Sequence, residues 1–335
     1  MTQKPLKVYV IQGRSERDYS DCRKALASVP AQVEVLPFLG TPEEVMAHTQ
    51  DAAGLVTSSS PITRQVLHAL PHLKVVVRTG VGYDVIDVPA ATERGVVVVN
   101  VPDLWIREVA NHALALLLAW NRQIITLHSQ VRAGVWRSQV PGLAGALHGE
   151  TMGIVGLGNI GRAFARRVQA LDMQVIAADP YVDAATFVAL GVERVSLETL
   201  AARADYVSVH CLLNNETRHL INATFLRRMK PTACLINTSR GPVVDEAALI
   251  QALREKWLAG AALDVQEHEP PASDNPLLHM DNVIVTPHAA YYSTPAAAQV
   301  PQRCGEEVAR VLTGQRPLHV VNPEVYAARP QAIAR

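Results

Sequence analysis

An excess of charge of either sign is missing from this chain. Lysine plus arginine and aspartate plus glutamate each number 31, so the 335 residues carry no net charge. Without a basic excess there is little to grip a phosphate backbone, and the composition argues against nucleic acid as a partner. Cysteine is scarce. Cys22, Cys211, Cys234 and Cys304 are too scattered for a zinc site or a disulfide framework, and single thiols of this kind suit a reducing cytosol. No metal is expected. Long apolar runs are missing as well. Val8 to Ile11, behind Met-Thr-Gln-Lys-Pro, is too short for a signal-peptide core. The longest run, Ala113 to Trp120, is too short to span a bilayer. There is no internal repeat and no low-complexity tract. These absences together lead us to expect a cytoplasmic protein with no membrane contact.

What is present is core material in quantity. Hydrophobic residues make up 49% of a chain longer than single cores usually grow, which points to two domains. Short β-branched runs alternate with segments of helical spacing. Val8–Ile11, Val33–Leu36, Leu55–Thr57, Val75–Val77 and Val96–Val99 read as strands, with helices over Asp18–Ser28, Thr41–Thr49 and Ile62–Ala69 between them. Pro102 marks a break. The segment Leu104 to Trp120 is apolar on nearly every face and must be buried all round, in a core or at a subunit interface. Asn121 to Glu150, with Trp136, lacks clear periodicity and reads as an arm that packs on a second subunit. A second alternating series runs from Met152. Its strands are Met152–Val155, Gln174–Ala178, Tyr206–His210, Ala233–Asn237, Ala261–Val265 and Val283–Val285. Its helices are Ile160–Ala170, Leu197–Ala202, Thr224–Met229 and Glu246–Leu258, the last with Asp245 as N-cap. The fold class is therefore α/β, with parallel sheets covered on both faces. The tail after Asn322 is expected to be loosely ordered.

Gly156-Leu157-Gly158-Asn159-Ile160-Gly161 fits G-x-G-x-x-G, a weak signal alone. Here it follows a strand and opens a helix, the context a dinucleotide-binding turn requires. Gly156 permits the turn, Gly158 lets the backbone approach a pyrophosphate, and Gly161 lets helix and strand pack closely. The amides of Asn159 and Ile160 sit at the helix N-terminus, where the dipole favours phosphate charge. Asp179 ends the next strand, where an acid accepts the ribose hydroxyls and repels a 2′-phosphate. NAD is thus expected over NADP.

Ligands of open parallel sheets bind beyond the carboxyl ends of the strands. Thr238, Ser239 and Arg240 follow one strand, and Asp264 with Gln-Glu-His-Glu-Pro follows the next. Thr286-Pro287-His288 follows a third. Each has a bland reading as a loop charge, but they converge on the edge that holds the glycine loop.

These stretches resemble the D-isomer-specific 2-hydroxyacid dehydrogenase family. The matching segments are Thr151–Gly161, Asn237 through Asp245, Ala262-Leu263-Asp264-Val265 through Glu269-Pro270, and Thr286-Pro287-His288, with Gly80-Val81-Gly82 and Asn100-Val101-Pro102. The resemblance implies two doubly wound domains. A Rossmann NAD domain, residues 103–289, is inserted into a flavodoxin-like substrate-binding domain, residues 1–102 and 290–335. It implies a hydride moved between NAD and C2 of a small 2-hydroxy or 2-keto acid by a homodimer. Arg240 binds the substrate carboxylate and polarises the keto oxygen, His288 is the acid/base, and Glu269 hydrogen-bonds His288. Thr238 and Asp264 belong to the cofactor side, Asp264 holding the carboxamide. The backbone of Val81 and Gly82 receives the carboxylate. Physics agrees: a fixed guanidinium answers charge developing on the carbonyl oxygen, and a neighbouring carboxylate favours the imidazolium. Keto-acid reduction should fall, and hydroxy-acid oxidation rise, as pH climbs through the histidine's titration.

Finer likenesses follow. Glu269 stands where formate dehydrogenases have glutamine, and the regulatory domain of long phosphoglycerate dehydrogenases has no counterpart. His210-Cys211, Asn214, His219-Leu220-Ile221-Asn222 and His288-Ala289-Ala290 before Tyr291-Tyr292-Ser293 most resemble the C-terminal-binding corepressors. With them Arg78 is a second carboxylate contact, and Tyr291 packs on the substrate side chain. Tyr83-Asp84-Val85 and Asn111 depart from the family pattern, in the pocket or in the packing around it. The alternative function is an NAD(H)-sensing dimeric interaction protein with little turnover, which the catalytic rate would distinguish.

Overall fold

A computed structural model of the chain describes residues 5–13, 17–137 and 146–327. It divides into two compact units, Met1–Trp105 with Ser293–Arg335, and Ile106–Tyr292.

The first unit holds β1 (Leu6–Ile11), α1 (Ser20–Ala25), β2 (Ala31–Leu36), α2 (Pro42–His48), β3 (Ala52–Thr57), α3 (Arg64–Ala69), β4 (Val75–Arg78), α4 (Val88–Glu93) and β5 (Val97–Val99). Its strands pair in parallel in the order β2-β1-β3-β4-β5, the flavodoxin arrangement. β3 is buried at every residue, as a central strand covered on both faces must be. Thr41 starts α2 with a capping box: its side chain accepts from Glu44 N, and the Glu44 side chain accepts from Thr41 N.

The second unit opens with α5 (Ile106–Asn121) and α6 (Ile124–Arg132). Then come β6 (Thr151–Val155), α7 (Asn159–Gln169), β7 (Gln174–Ala178), α8 (Ala184–Leu190), β8 (Glu193–Arg194), α9 (Leu197–Arg203) and β9 (Tyr206–Val209). The unit continues with α10 (Ala223–Arg228), β10 (Cys234–Asn237), α11 (Glu246–Arg254), β11 (Gly260–Leu263) and β12 (Val283–Val285). Seven parallel strands run β12-β11-β10-β9-β6-β7-β8, so the order reverses between β6 and β9. That reversal is the switch point at which doubly wound sheets bind ligands. β9, β10 and β11 are buried throughout. Asp183, Ser196, Asn222 and Asp245 each accept a hydrogen bond from the third residue of the helix they begin.

The chain returns to the first unit as α12 (Thr294–Leu312). Val308 lies beside Gly54 of β3, where an added Cβ would meet it at 3.2 Å. Beyond α12, Val320 bridges Val99, and the Asn322 side chain accepts from Val98 N and donates to Val96 O and Thr92 Oγ1.

Two expectations need correction, and one is met in part: within one chain α5 buries Val109, Ala113, Leu116, Leu117 and Trp120 and leaves Ala115 exposed and Leu118 half-buried. Part of the aperiodic segment 121–150 is a helix, α6, with no buried residue; residues 138–145 lie outside the described part. Just past Asn322 the chain is ordered as a 3-10 turn, Pro323–Tyr326, with Val325 buried; residues 328–335 lie outside the described part.

Candidate active site

Every residue expected to bind cofactor falls in the second unit. Gly156 has φ +93°, a left-handed conformation that favours glycine, and an added Cβ would lie 2.5 Å from Cys211 N at the end of β9. At Gly161 a Cβ would lie 2.2 Å from Gly156 O, so α7 packs on the turn only because that atom is absent. Gly158 has nothing within 4 Å. Asp179, at the end of β7, accepts Leu157 N at 2.8 Å through Oδ2 and Tyr181 N at 2.9 Å through Oδ1, and so ties the glycine turn to its neighbouring strand. Asn159 and Ile160 form the first turn of α7.

At the ends of β10, β11 and β12 the side chains converge. Asn237 braces the turn after β10: its Oδ1 accepts Ser239 N and its Nδ2 donates to Arg240 O, both at 3.0 Å. Ser239 Oγ donates to Cys211 O, and Arg240 Nη1 to Ser239 O at 2.9 Å. Thr238 is buried and its Oγ1 has no partner.

Asp264 is buried at 1% exposure, and what it touches explains why burial is tolerated. Oδ1 accepts Thr286 Oγ1 at 2.6 Å and Ala289 N at 2.9 Å; Oδ2 accepts Ala290 N at 2.9 Å. Its backbone O accepts His288 N at 2.7 Å. Asp264 therefore folds the turn that carries His288 at φ +53°. His288 Nδ1 lies 2.6 Å from Glu269 Oε2. A carboxylate only accepts, so Nδ1 carries the hydrogen and Nε2 is left for other partners. Glu269 Oε1 accepts Gln266 N at 3.1 Å. Burial alone would push the Glu269 carboxyl up, but the His288 hydrogen bond and charge, the Gln266 amide and the Arg240 charge together hold it below its ordinary value. Tyr291 stands edge-on to His288, with ring centroids 6.4 Å apart.

In the first unit, Arg78 ends β4 with Nη1 3.5 Å from Thr79 Oγ1. Val81 O accepts Asn100 Nδ2 at 2.7 Å, and Gly82 is buried.

Sequence reading missed His112, whose Nε2 lies 3.0 Å from Thr286 Oγ1 and 3.4 Å from Asp264 Oδ1. The available signal was one imidazole within the apolar run of α5. Asn111 accepts Arg167 Nε at 2.8 Å, and Val85 is partly buried against the core of the first unit. Among the described residues no cluster of His, Cys, Asp and Glu could hold a metal, and no helix is long and apolar enough to cross a membrane.

An open glycine amide at a switch point, with an orphaned hydroxyl and a histidine–carboxylate pair on the next strand ends, suits a nicotinamide dinucleotide and a carbonyl substrate. Comparison with known proteins agrees. Residues 114–290 match the family model described as the D-isomer specific 2-hydroxyacid dehydrogenase NAD binding domain. The chain is 41% identical to a glyoxylate reductase of Korarchaeum cryptofilum over 85% of this chain and 87% of that one. It is 40% identical to a D-3-phosphoglycerate dehydrogenase of Methanocaldococcus jannaschii over 91% of this chain but only 58% of that one. A crystal structure of a glyoxylate reductase from Paecilomyes thermophila superposes with a TM-score of 0.85 at 28% identity, covering 96% of this chain and 99% of that one. The chain belongs to the D-isomer-specific 2-hydroxyacid dehydrogenase family. It is an NAD(P)-dependent oxidoreductase of the CH–OH group, acting between small 2-hydroxy and 2-keto acids. The corepressor likeness is corrected: relatives at about 40% identity are glyoxylate reductases and phosphoglycerate dehydrogenases.

Proposed function

We propose that this chain is an NAD-preferring reductase of a small 2-keto acid, with glyoxylate as the first candidate substrate. The observation that carries the reading is the 2.6 Å contact between His288 Nδ1 and Glu269 Oε2, on loops that follow the same sheet as Arg240. Arg240 holds the substrate carboxylate and draws on the C2 oxygen as charge develops there. His288 gives that oxygen a proton from Nε2, and Glu269 offsets the ring's charge and fixes its tautomer. Bound nicotinamide supplies or accepts the hydride. Gly158, Asn159 and Ile160 would hold the pyrophosphate, and Thr238 Oγ1 and the remaining lone pair of Asp264 Oδ2 would hold the carboxamide. Asp179 supports the preference for NAD, since a 2′-phosphate there would meet a carboxylate. Arg78, Val81 and Gly82 add contacts to the substrate carboxylate, and Tyr291 packs on its side chain. Glyoxylate is named because relatives matched over most of their length are glyoxylate reductases.

The same reading includes a homodimer. Ile124, Ile125 and Val131 of α6 are about half exposed and Trp136 is 91% exposed, an apolar surface that a second copy would cover. A monomeric mass by light scattering would remove this part.

The test follows NADH absorbance with a panel of 2-keto acids and a His288→Ala control. Turnover of about 1 s⁻¹ or more on one acid, lost in the control and much weaker with NADPH, supports the reading. Turnover of other 2-keto acids but not of glyoxylate would overturn the substrate assignment, and equal efficiency with NADPH the cofactor preference.

A further inference from the structure

Arg240 and Glu269 sit on different loops, yet the two loops touch through bare backbone. A Cβ on Gly241, next to Arg240, would lie 1.9 Å from the carbonyl carbon and oxygen of Gln266, three residues before Glu269. Backbone contact alone does not fix register, and four side chains outside the proposed chemistry do so. Glu267 Oε1 lies 2.8 Å from His219 Nε2 and 3.8 Å from Arg218 Nη1. Glu267 N donates to Glu246 Oε2 at 3.0 Å, and Glu246 N faces Glu267 Oε2 at 3.5 Å, a reciprocal pair at the first residue of α11. Glu246 Oε1 accepts Asn275 Nδ2 at 2.8 Å, and the same Nδ2 lies 3.2 Å from Gln266 Oε1. His219 N donates to Pro242 O at 2.8 Å, two residues beyond Arg240.

Both ends of the 266–275 loop are thus fastened to the start of α11, and His219 is fastened to the Arg240 turn by its backbone and to the Glu269 loop by its ring. Arg218, 3.8 Å from Glu267 Oε1, offsets part of the repulsion between the two carboxylates, and His219 Nε2 serves as a hydrogen-bond donor to Glu267. We propose that His219, Glu246, Glu267 and Asn275 are positioning residues, a clasp that sets the Arg240 guanidinium against the Glu269–His288 pair. The proposal rests on the roles given above to Arg240, Glu269 and His288.

Misplacement of a reacting group by about 1 Å costs on the order of a hundredfold in rate. The experiment compares His219→Leu, His219→Gln and Asn275→Ser with the unsubstituted protein. It measures kcat, KM, NADH affinity by fluorescence and Tm. Leucine removes the donor to Glu267, glutamine restores one, and serine keeps the cap on Leu277 N while losing the arm to Glu246. His219→Leu and Asn275→Ser are expected to lower kcat about tenfold or more, with NADH affinity unchanged, and His219→Gln to regain most of it. A loss that glutamine does not restore, or one that follows Tm or NADH affinity, overturns the clasp. So does unchanged kcat in Asn275→Ser, whether or not His219→Leu folds. A parallel His288→Ala separates the two levels. If it is inactive while His219→Leu keeps full rate, only the clasp fails; if it stays active, the site assignment fails and the clasp with it.

Discussion

Gly158 and Gly161 belong to one six-residue turn but answer to opposite constraints. Around Gly158 lies open space, whereas at Gly161 a methyl would press on Gly156 O at 2.2 Å. Gly158→Ala should keep its Tm and lose NADH affinity in a fluorescence titration. Gly161→Ala gains about 1 kcal/mol of helix propensity but forces a clash with backbone, which costs roughly 1–3 kcal/mol, so a net loss is expected in urea unfolding. Glu269 gives a prediction in pH. Its carboxyl is held below the ordinary value, so its contribution to stability is present above the unfolded-state value and lost as pH falls through the lowered native one. Glu269→Gln should flatten that part of a stability–pH curve and also slow keto-acid reduction. At this scale the sequence was informative where residue types sit at strand ends, which is how Arg240, Glu269 and His288 were singled out. It was silent on Asn237, His112 and the Gln266 amide, because a hydrogen bond between positions far apart in the chain leaves no spacing to read.

Among the elements, α12 was the least visible before folding. Pro295 and Pro301 interrupt its pattern, and proline inside a helix removes a backbone donor and crowds the preceding turn. Ser293 offsets this at the start by accepting Ala296 N. Packing does the rest: a Cβ on Gly305 would lie 2.7 Å from Cys22 O and 2.8 Å from Ala25 Cβ, so α12 meets α1 at near-contact of backbones. Gly305→Ala should therefore destabilise, although alanine is the better helix former by about 1 kcal/mol. Thermal melting decides the sign. The parallel strands, by contrast, were legible, since strands buried on both faces read as continuous apolar runs. α4 and α8 went unread, although α1, α3 and α10 are no longer than these and were legible.

For the whole molecule, acid is a condition that the structure resists at one buried ring. His210 packs 5.0 Å from Phe164, and burial pushes its ring from 6.5 down to about 3. The native state refuses a proton that the unfolded chain takes up below 6.5. Stability should thus decline as pH falls from 6.5 toward 3, by up to about 1.4 kcal/mol per pH unit from this ring. His210→Asn should flatten that limb, measured as Tm against pH. The division into two sheets was readable from the double alternation of strands and helices. The return of the chain to the first sheet came from family likeness alone, because no local pattern announces a contact such as that of Asn322 with Val98.

That return has a consequence for synthesis. Residues 106–292 form a unit continuous in sequence and are free to close as they leave the ribosome. The strands made before them are not, because α12 and Asn322, which cover and plug the first sheet, are translated after all of the second unit. A chain ended at Tyr292 and released from the ribosome should show the second unit resistant to protease and the first still open. The earliest part of the polypeptide is then the last to mature, and its five apolar strands are the stretch most in need of a chaperone while they wait.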